Sequence, residues 1–366
     1  MGLGFVGTFV SLSVRFYVEK AALNAVESVG NIVRHRKGTI VRKEKGVLKL
    51  VTMPTISGEC LKHAYQSWLA SLAHNAGEKV CVWCRRNEFI KHGVEQFLEN
   101  DLRAMLDKAK GKSGRELESL ILEAEKYIVK NCIVEDVGGF LLPVAVPVKR
   151  TSKIEFSFAV PTNDAVEKGL VRIDMDFHVR HAPTAVSGRA GEQAGQAIFY
   201  VENVTGIFSF VTNIDVSYIG RTTSVAVKDV EGVDRRKRIE LALKALEIMV
   251  SNGIFGAKRG YYLPSKYEVL SIVAAISRPI PFTVYSGVDP RYIAATVARA
   301  EKFLAIDPRE EIHVLYYVAE DKDEEVSNSV KNLATRESQN FTVKRFGSVE
   351  DLFNELRSKV LELEFG

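Results

Sequence analysis

The order in which strand-like and helix-like hydrophobic patterns follow one another constrains the fold of this chain more than any other feature. Predicted strands begin near Thr8, Ile154, Ile207 and Tyr267, and predicted helices begin near Ser57 and Arg235. With the intervening segments set aside, the order is strand, helix, strand, strand, helix, strand, which is that of the ferredoxin-like fold. We therefore predict an α+β protein with a modified ferredoxin-like (RRM-like) βαββαβ core, large insertions and a C-terminal β/α appendage.

Three segments around this core have predicted structures of their own. Residues 87–130 are predicted to form a helical hairpin broken at KGKSG, with Ser113 and Glu116 as a capping box for its second helix. Residues 197–201 and 207–216 are predicted to form a β-hairpin closed near Thr205 and Gly206. The tail alternates helix and strand, and residues 310–366 contain 13 acidic and 7 basic residues. This acidic tail is predicted to be a small packing subdomain or a protein-contact surface.

The second core helix is followed by a basic, glycine-containing loop within residues 234–264. The apolar stripe of the helix consists of Ile239, Ala242, Leu243, Leu246, Met249 and Val250. Asp234 is predicted to cap its start and Gly253 its end. Lys258 and Arg259 then stand among glycines, a composition that suits a phosphate contact because glycine lets the backbone approach closely. An ordinary solvated loop explains these residues equally well.

Three other connections of the predicted sheet are also basic and polar. They follow the first strand, precede the strand at Ile154, and follow a predicted strand over residues 171–179. The candidate residues are Asn24, Asn31, His35, Arg36, Lys37, Arg150, Thr151, Ser152, Lys153, Arg180, His181 and Arg189. Such side chains suit phosphate and ribose contacts. No RNP-type aromatic motif is visible, so the pattern favours tracking of a polyanion backbone over reading of bases.

The composition excludes several classes of protein. With 46% hydrophobic and 26% charged residues, the chain is predicted to be globular. Four cysteines in 366 residues do not indicate a disulfide scaffold, so we expect a reducing, cytoplasmic location. We expect no membrane span and no signal peptide. GLGFVG at residues 2–7 matches the G-x-G-x-x-G fingerprint, but a strand pattern follows it and none precedes it, so we reject dinucleotide binding.

Two patterns raise the question of a metal. The CVWC motif at Cys81 and Cys84 can bind zinc if two more ligands arrive from elsewhere. The available residues are Cys60, Cys132, His63, His74 and His92. Their spacing is not a recognised one, so we favour reduced, partly buried cysteines. One face of the strand over 171–179 carries Asp174, Asp176 and His178, which we interpret as a solvated face. We therefore predict no metal and no cofactor.

Six stretches of this sequence carry a resemblance to a known family. They are, in order, LNAVESVGNIVRHR, PTISGECLKHAYQ, NCIVEDVGGFL, VKRTSKIEFSF, VRHA and GIFGAKRGYYLP. Together they resemble the DevR-type backbone subunit of the archaeal type I-A CRISPR Cascade complex, in the RAMP superfamily. The resemblance covers roughly residues 8–285. Tyr261 and Tyr262 depart from it, because similar proteins tend to be more basic or polar there.

The resemblance implies a modified RRM core in residues 1–285, with a helical insertion at about 75–135 and a thumb-like segment at about 180–206. Residues 286–366 would form an acidic β/α region packed on this core. Several copies would polymerise along one CRISPR RNA. The positions that match RNA-contacting motifs of the family are Asn24, Asn31, His35, Arg36, Arg150, Thr151, Ser152, His181, Lys258 and Arg259.

Three functional hypotheses follow from the residues and the resemblance. The leading one is a non-catalytic CRISPR RNA-binding subunit that leaves the guide free to pair with target DNA, with other Cascade subunits and copies of itself as partners, and no membrane. The second is an endoribonuclease that processes CRISPR RNA, with His35, His63 or His181 as general acid or base. The third is a subunit that contacts only proteins, through the acidic tail.

Overall fold

The computed structural model describes residues 7–44, 47–143, 147–180, 197–256, 259–260 and 262–366. The protein is of the α+β class. Its strands are β1 (Phe9–Ala21), β2 (Ala25–Val29), β3 (Ile32–His35), β4 (Lys37–Glu44), β5 (Val47–Pro54), β6 (Phe140–Leu142), β7 (Val148–Arg150), β8 (Ile154–Phe156), β9 (Val160–Pro161), β10 (Arg172–Arg180), β11 (Ala197–Asp215), β12 (Arg221–Thr222), β13 (Lys228–Asp229), β14 (Lys266–Arg278), β15 (Glu311–Val318), β16 (Arg336–Glu337) and β17 (Phe341–Phe346).

The α-helices are α1 (Gly58–Asn75), α2 (Val82–Arg85), α3 (Asn100–Ala109), α4 (Gly114–Asn131), α5 (Ile133–Gly138), α6 (Asn163–Glu167), α7 (Arg235–Asn252), α8 (Tyr292–Phe303), α9 (Glu324–Val330) and α10 (Val349–Phe365). Short 3₁₀ turns occur at Glu95–Phe97 and Val216–Tyr218. Among the described residues, no helix has both the length and the apolar composition needed to cross a bilayer.

Strand β1 lies at the centre of the main sheet. It pairs antiparallel with β11 on one side and with β14 on the other. Strand β11 pairs antiparallel with β8, which gives the local order β14–β1–β11–β8. Both faces of β1 are buried: its apolar side chains alternate with Ser11, Ser13 and Arg15, which are also fully buried. A polar strand face inside a protein needs hydrogen-bond partners, and segment 284–287 supplies some of them.

Helices α1 and α7 pack together on one face of this sheet, as their apolar stripes predicted. Tyr65 of α1 is fully buried, and its hydroxyl donates a hydrogen bond to the Ala242 carbonyl of α7 at 3.1 Å. The predicted caps are confirmed. The Asp234 side chain accepts the Lys237 N–H, and Gly253 ends α7 with a φ of +59°. These caps fix where α7 stops and the loop toward Arg259 begins.

The C-terminal region extends the same sheet. Strand β15 pairs antiparallel with β14 over Glu311–Val318, and β17 pairs parallel with β15. Helices α8 and α9 contribute to an apolar cluster with β15, while α10 joins the α1–α7 core through Leu352, Phe353 and Leu356. The acidic tail therefore contributes buried side chains to both clusters.

The predicted β-hairpin at Thr205 and Gly206 is wrong. Strand β11 is continuous from Ala197 to Asp215, and Gly206 pairs with Val18 inside it. The first half of β11 pairs with β10 and the second half with β1. Because β11 continues from its pairing with β10 directly into its pairing with β1, the chain does not turn at Gly206. The basic segment after β1, predicted as a connection, also contains strands β2 to β4.

The predicted helical hairpin of residues 87–130 is correct only in its second part. The first helix begins at Asn100, because Asn87, Lys91 and His92 all adopt positive φ and interrupt a helix there. The capping box is wrong as well. Ser113 caps α4 without a side-chain hydrogen bond, and Glu116 pairs with Lys112 at 2.7 Å instead.

Replacing Arg15 by methionine is expected to destabilise the fold strongly. The fully buried guanidinium binds Asp164 at 2.8 Å and Asp323 at 3.0 Å, so its loss leaves two buried carboxylates without a counter-charge. Breaking such a network costs about 3–5 kcal/mol of unfolding free energy. Urea denaturation measures this, with the exposed Arg172→Met as control, whose partner is Asp174. Equal urea midpoints for the two variants would contradict the prediction.

Candidate nucleic-acid interface

The N-terminal half of α1 borders two surface grooves. The first, which we call the Lys62 groove, is lined by Arg36, Ser57, Gly58, Glu59, Lys62, Ser152, Ile154, Glu155, Phe156 and Phe158. The second, the Arg259 groove, is lined by Cys60, His63, Ala64, Ser67, Trp68, Ser71, Ile254, Phe255, Gly256 and Arg259. The first groove takes Gly58, Glu59 and Lys62 of α1, and the second takes α1 residues from Cys60 to Ser71, so both grooves border the same helix.

Lys62 is held in the first groove by two hydrogen bonds. Its Nζ atom donates to the Gly138 carbonyl at 2.9 Å and to the Ser152 hydroxyl at 2.7 Å. Burial, with the nearby Lys91 ammonium, lowers the pKa of Lys62 to about 8. Phe158 in the same groove leaves half of its surface exposed. The groove thus combines a cation, a hydroxyl and an exposed ring, which are groups that contact phosphate, sugar and base.

Two glycines allow the close backbone approaches that shape the grooves. A Cβ atom at Gly58 would lie 2.3 Å from the Phe156 carbonyl oxygen, so α1 can begin against β8 only with glycine there. Gly256 has a φ of +103°, and a Cβ atom would meet the Leu23 backbone at 2.9 Å. The loop that carries Arg259 is thereby placed against the end of β1.

Arg36 and Arg259 each have a side-chain donor that no described residue of the protein pairs with. In both residues the Nε atom is buried, and it has no hydrogen-bond partner among the described residues. Arg36 also lies near the second groove. Burial raises the pKa of the Cys60 thiol to about 11, against the opposing effects of the Gly256 backbone and the Arg36 charge. A guanidinium carries further N–H groups beside Nε, and a groove-lining arginine can offer these to an anionic ligand.

Asn24 and His35 lie beneath this surface and support it. The Asn24 side-chain oxygen accepts the Ser57 N–H at 2.7 Å, and its backbone N–H donates to His35 Nε2 at 3.2 Å. His35 Nδ1 donates to the Arg36 carbonyl at 2.9 Å. Asn24 is 9% exposed and His35 is 3% exposed. Both residues therefore position Arg36 and the start of α1, and neither offers its side chain to a ligand.

Arg150 does not belong to the surface either. Its side chain is fully buried and pairs with Glu125 at 3.0 Å and with Asp136. The next residues divide between two grooves: Ser152 faces Lys62, whereas Thr151 and Lys153 line a separate groove with Lys149, Thr223 and Ser224. Burial, followed by the Arg150 charge, lowers the pKa of Lys153 to about 8.

The remaining predicted residues lie away from α1 or outside the described part of the chain. Asn31 is exposed in the β2–β3 turn, where its amide donates to the Ile198 carbonyl at 3.5 Å. Lys37 pairs with Glu202 at 3.1 Å. His181, Arg189 and Lys258, and the side chain of Arg180, lie outside the described residues. The structure therefore brings together Arg36, Ser152 and Arg259, and it adds Lys62, which the sequence analysis missed.

The acidic face of β10 is occupied by protein partners. Asp174 and Asp176 share the Lys20 ammonium at 3.4 and 3.5 Å, and Asp176 also accepts a hydrogen bond from Asn203. His178 hydrogen-bonds the Tyr262 hydroxyl. In the described part of the chain, one group of side chains has the composition and spacing of a metal site, and it is Cys81, Cys84, Cys132 and Glu135.

His35 is expected to titrate below the ordinary histidine range. Burial lowers its pKa, despite the opposing hydrogen bond to Arg36, so the unfolded chain takes up a proton at a higher pH than the folded one. This contribution to stability is complete above about pH 6.5 and is lost as the pH falls toward the folded-state pKa. An NMR titration of labelled histidine, with the resonance assigned by His35→Gln, measures it. A His35 pKa at or above the ordinary value would contradict the assignment.

Comparison with known proteins identifies the family. A family model described as "CRISPR-associated negative auto-regulator DevR/Csa2" matches residues 12–297. The "CRISPR-associated aCascade subunit Cas7/Csa2 2" of Saccharolobus solfataricus is 33% identical over 297 residues, which cover 80% of this chain and 87% of that protein. The "CRISPR-associated protein Cas7/Csa2 1" of the same organism is 29% identical over 314 residues, which cover 86% and 93%.

Solved structures give a weaker similarity. A chain of a "CRISPR RNA-guided surveillance complex, pre-nicking" is 12% identical, with a TM-score of 0.49 over 96% of this chain and 100% of the other. An identity and a TM-score this low support no conclusion about function. The family model, by contrast, covers well over half of the chain, and one relative exceeds 30% identity across most of both proteins. The protein therefore belongs to the DevR/Csa2 family of CRISPR-associated proteins, as its sequence motifs predicted.

Proposed function

We propose that this protein is a non-catalytic backbone subunit of a type I-A Cascade effector, which polymerises along CRISPR RNA in the cytoplasm for antiviral interference. The observation that carries the proposal is the pair of grooves along α1, which Arg36 and Arg259 line together with Lys62. Family membership supports the same conclusion, because one relative, at 33% identity, carries the name of an aCascade subunit.

In this proposal the protein holds the guide by its phosphates. Arg36 and Arg259 bind phosphate oxygens, Lys62 adds a third positive charge, and the Ser152 hydroxyl contacts phosphate or ribose. Phe158 and Trp68 offer aromatic surface on which a base can stack without being read. Because the phosphates are held and the Watson–Crick edges are not, the guide remains able to pair with target DNA.

The remaining basic residues extend this proposal beyond the two grooves. The same RNA path would include Lys258, next to Arg259, and the segment that begins at Arg180 and contains His181 and Arg189. Thr151 and Lys153 line a neighbouring groove with Lys149, Thr223 and Ser224. Lysine and hydroxyl side chains suit contacts with phosphate better than contacts with bases. Asn31 and Lys37 each contact β11, through the Ile198 carbonyl and the Glu202 carboxylate, and the proposal places a second copy or the RNA beside them.

We further infer that the core is a modified ferredoxin-like domain. The order β14–β1–β11–β8, with antiparallel neighbours and with α1 and α7 on one face, supports this inference. On this basis residues 1–285 form the RNA-binding core, with the insertion at about 75–135 and the thumb-like segment at about 180–206. Residues 286–366 form the packed C-terminal region, which is available to other Cascade subunits.

The two described histidines proposed for catalysis differ in position. His35 is buried and bonded through both ring nitrogens, so it is not placed to act on RNA. His63 lines the Arg259 groove and packs edge-on against Phe89, with ring centroids 5.0 Å apart. The endoribonuclease hypothesis therefore rests on His63 among the described residues. Cleavage of RNA by general acid–base catalysis needs a second proton-transferring group beside His63. Arg259 in the same groove carries a positive charge but does not transfer protons at neutral pH.

Alanine at both Arg36 and Arg259 is expected to weaken guide RNA binding by at least about tenfold. Loss of two phosphate contacts is expected to reduce the slope of log affinity against log salt by about 1 to 2. Fluorescence anisotropy with labelled guide RNA at several salt concentrations measures both quantities. The matched control is Lys108→Ala with Arg115→Ala, which removes the same charge from exposed positions of the α3–α4 insertion. Equal affinity and salt slope in both double variants would refute the α1 interface.

The protein is expected to assemble on precursor CRISPR RNA without cutting it. Gel analysis after incubation measures the RNA length, and light scattering with size-exclusion chromatography measures the particle mass. Large particles that contain intact RNA, and that collapse on nuclease and high-salt treatment, are expected. Guide-length products that disappear in His63→Gln, with RNA affinity retained, would instead establish the endoribonuclease hypothesis.

A further inference from the structure

Three cysteines and one glutamate meet inside the protein at a position that the proposed RNA interface does not use. Cys81 and Cys84 come from the segment after α1, while Cys132 and Glu135 come from the junction of α4 and α5. Their sulfur atoms and one carboxylate oxygen all lie within 4.8 Å of one another. All four cysteines of the chain are free thiols, and three of the four are gathered here.

The backbone around the cluster is arranged to support thiolates. Cys81 caps the start of α2, and its Sγ atom accepts the Cys84 N–H at 3.5 Å. An N–H that points at sulfur stabilises negative charge on it. Cys132 lies where α4 ends and α5 begins, and the adjacent Ile133 N–H donates to the Lys79 carbonyl at 3.0 Å. This backbone bond joins the two ligand-bearing segments directly beside the sulfur atoms.

Burial separates this group from an ordinary surface cluster. Cys84, Cys132 and Glu135 are each 1% exposed. One Glu135 oxygen lies 3.8 Å from Cys81 Sγ and 4.0 Å from Cys84 Sγ. The other oxygen hydrogen-bonds His92 Nδ1. A carboxylate buried against sulfur atoms gains little from them unless a cation lies between, because thiols are weak donors.

We propose that Cys81, Cys84, Cys132 and Glu135 bind one structural zinc ion. Zinc in structural sites takes four ligands in a tetrahedron, with sulfur about 2.3 Å and carboxylate oxygen about 2.1 Å from the ion. Ligand atoms of such a tetrahedron are about 3.5–3.8 Å apart, so the observed cluster needs a contraction of only about 1 Å. These two segments supply all four ligands, so no third segment of the chain is needed.

His92 completes the surroundings of the site. Its Nδ1 atom holds the second oxygen of Glu135, and its Nε2 atom lies 3.2 Å from a Glu99 oxygen. A histidine between two carboxylates orients the ligating glutamate, as hydrogen-bonding partners of metal ligands commonly do. Lys91, next in the chain, adds a positive charge that offsets the three thiolates. The cysteines remain the ligands, and His92 is a positioning residue.

A zinc ion here would fasten the helical insertion to the core. Its ligands join the end of α1, through the Cys81–Cys84 segment, to α4 and α5. Helix α5 ends at Gly138, whose carbonyl accepts the Lys62 hydrogen bond in the first groove. The site is therefore structural and adjacent to the proposed RNA interface, and it stands whether or not the protein binds RNA.

The test uses the full-length chain, expressed in zinc-supplemented medium and purified without chelator. Elemental analysis is expected to give about one zinc per chain, and cobalt exchanged into the site is expected to show thiolate-to-cobalt charge transfer and tetrahedral d–d bands. Cys84→Ser and Cys132→Ser are expected to lose the metal. Cys60→Ser, which removes the one cysteine outside the cluster, is expected to keep it.

Wild-type protein decides the proposal even if the serine variants fail to fold. Zinc well below one per chain, together with no cobalt bands after chelation and exchange, would overturn it. Zinc retained by folded Cys132→Ser would overturn it as well. Glu135→Gln tests the fourth ligand: altered d–d bands with the charge-transfer band retained support it, whereas an unchanged spectrum removes Glu135 from the ligand set.

Discussion

The buried carboxylate of Asp136 joins three separate parts of this structure. Its two oxygens accept hydrogen bonds from Arg150, from Arg238 at 2.8 Å and from the Gly220 N–H at 2.9 Å. These partners come from β7, α7 and the segment after β11. A fully buried carboxylate is costly without counter-charge, and a buried guanidinium equally so. Each arginine that left the interior would therefore remove one of the two counter-charges of Asp136.

This constraint decides which basic residues can face a ligand. Arg238, in the basic run that opens α7, is fully buried between Asp136 and Glu78. Arg150 is likewise committed, so it orients the residues after it and directs Ser152 toward Lys62. Arg36 and Arg259 instead line the two grooves. The basic residues of the sequence therefore divide between buried ion pairs and groove-lining positions.

Local patterns were sufficient for the helices of the core but not for its pairings or its charges. The stripes and caps of α1 and α7 involve residues a few positions apart, so the sequence contains their whole explanation. The continuity of β11 depends on β10 and β1, and the burial of Arg150 depends on Asp136 and Glu125, none of which a local pattern can show. Lys62 was missed for the same reason, because its partners Gly138 and Ser152 are distant in sequence.

The six-residue helix α5 shows how buried chemistry can set an exposed site. Its adjacent residues Glu135 and Asp136 contact different groups. Glu135 joins the cysteine cluster, and Asp136 pairs with Arg150 and Arg238. The helix then ends at Gly138, which holds Lys62, and Gly139, where a Cβ atom would lie 2.6 Å from the Ser152 nitrogen. Displacement of α5 would move both walls of the Lys62 groove together. In the proposed interface, the positions of Lys62 and Ser152 therefore depend on residues that do not line the groove.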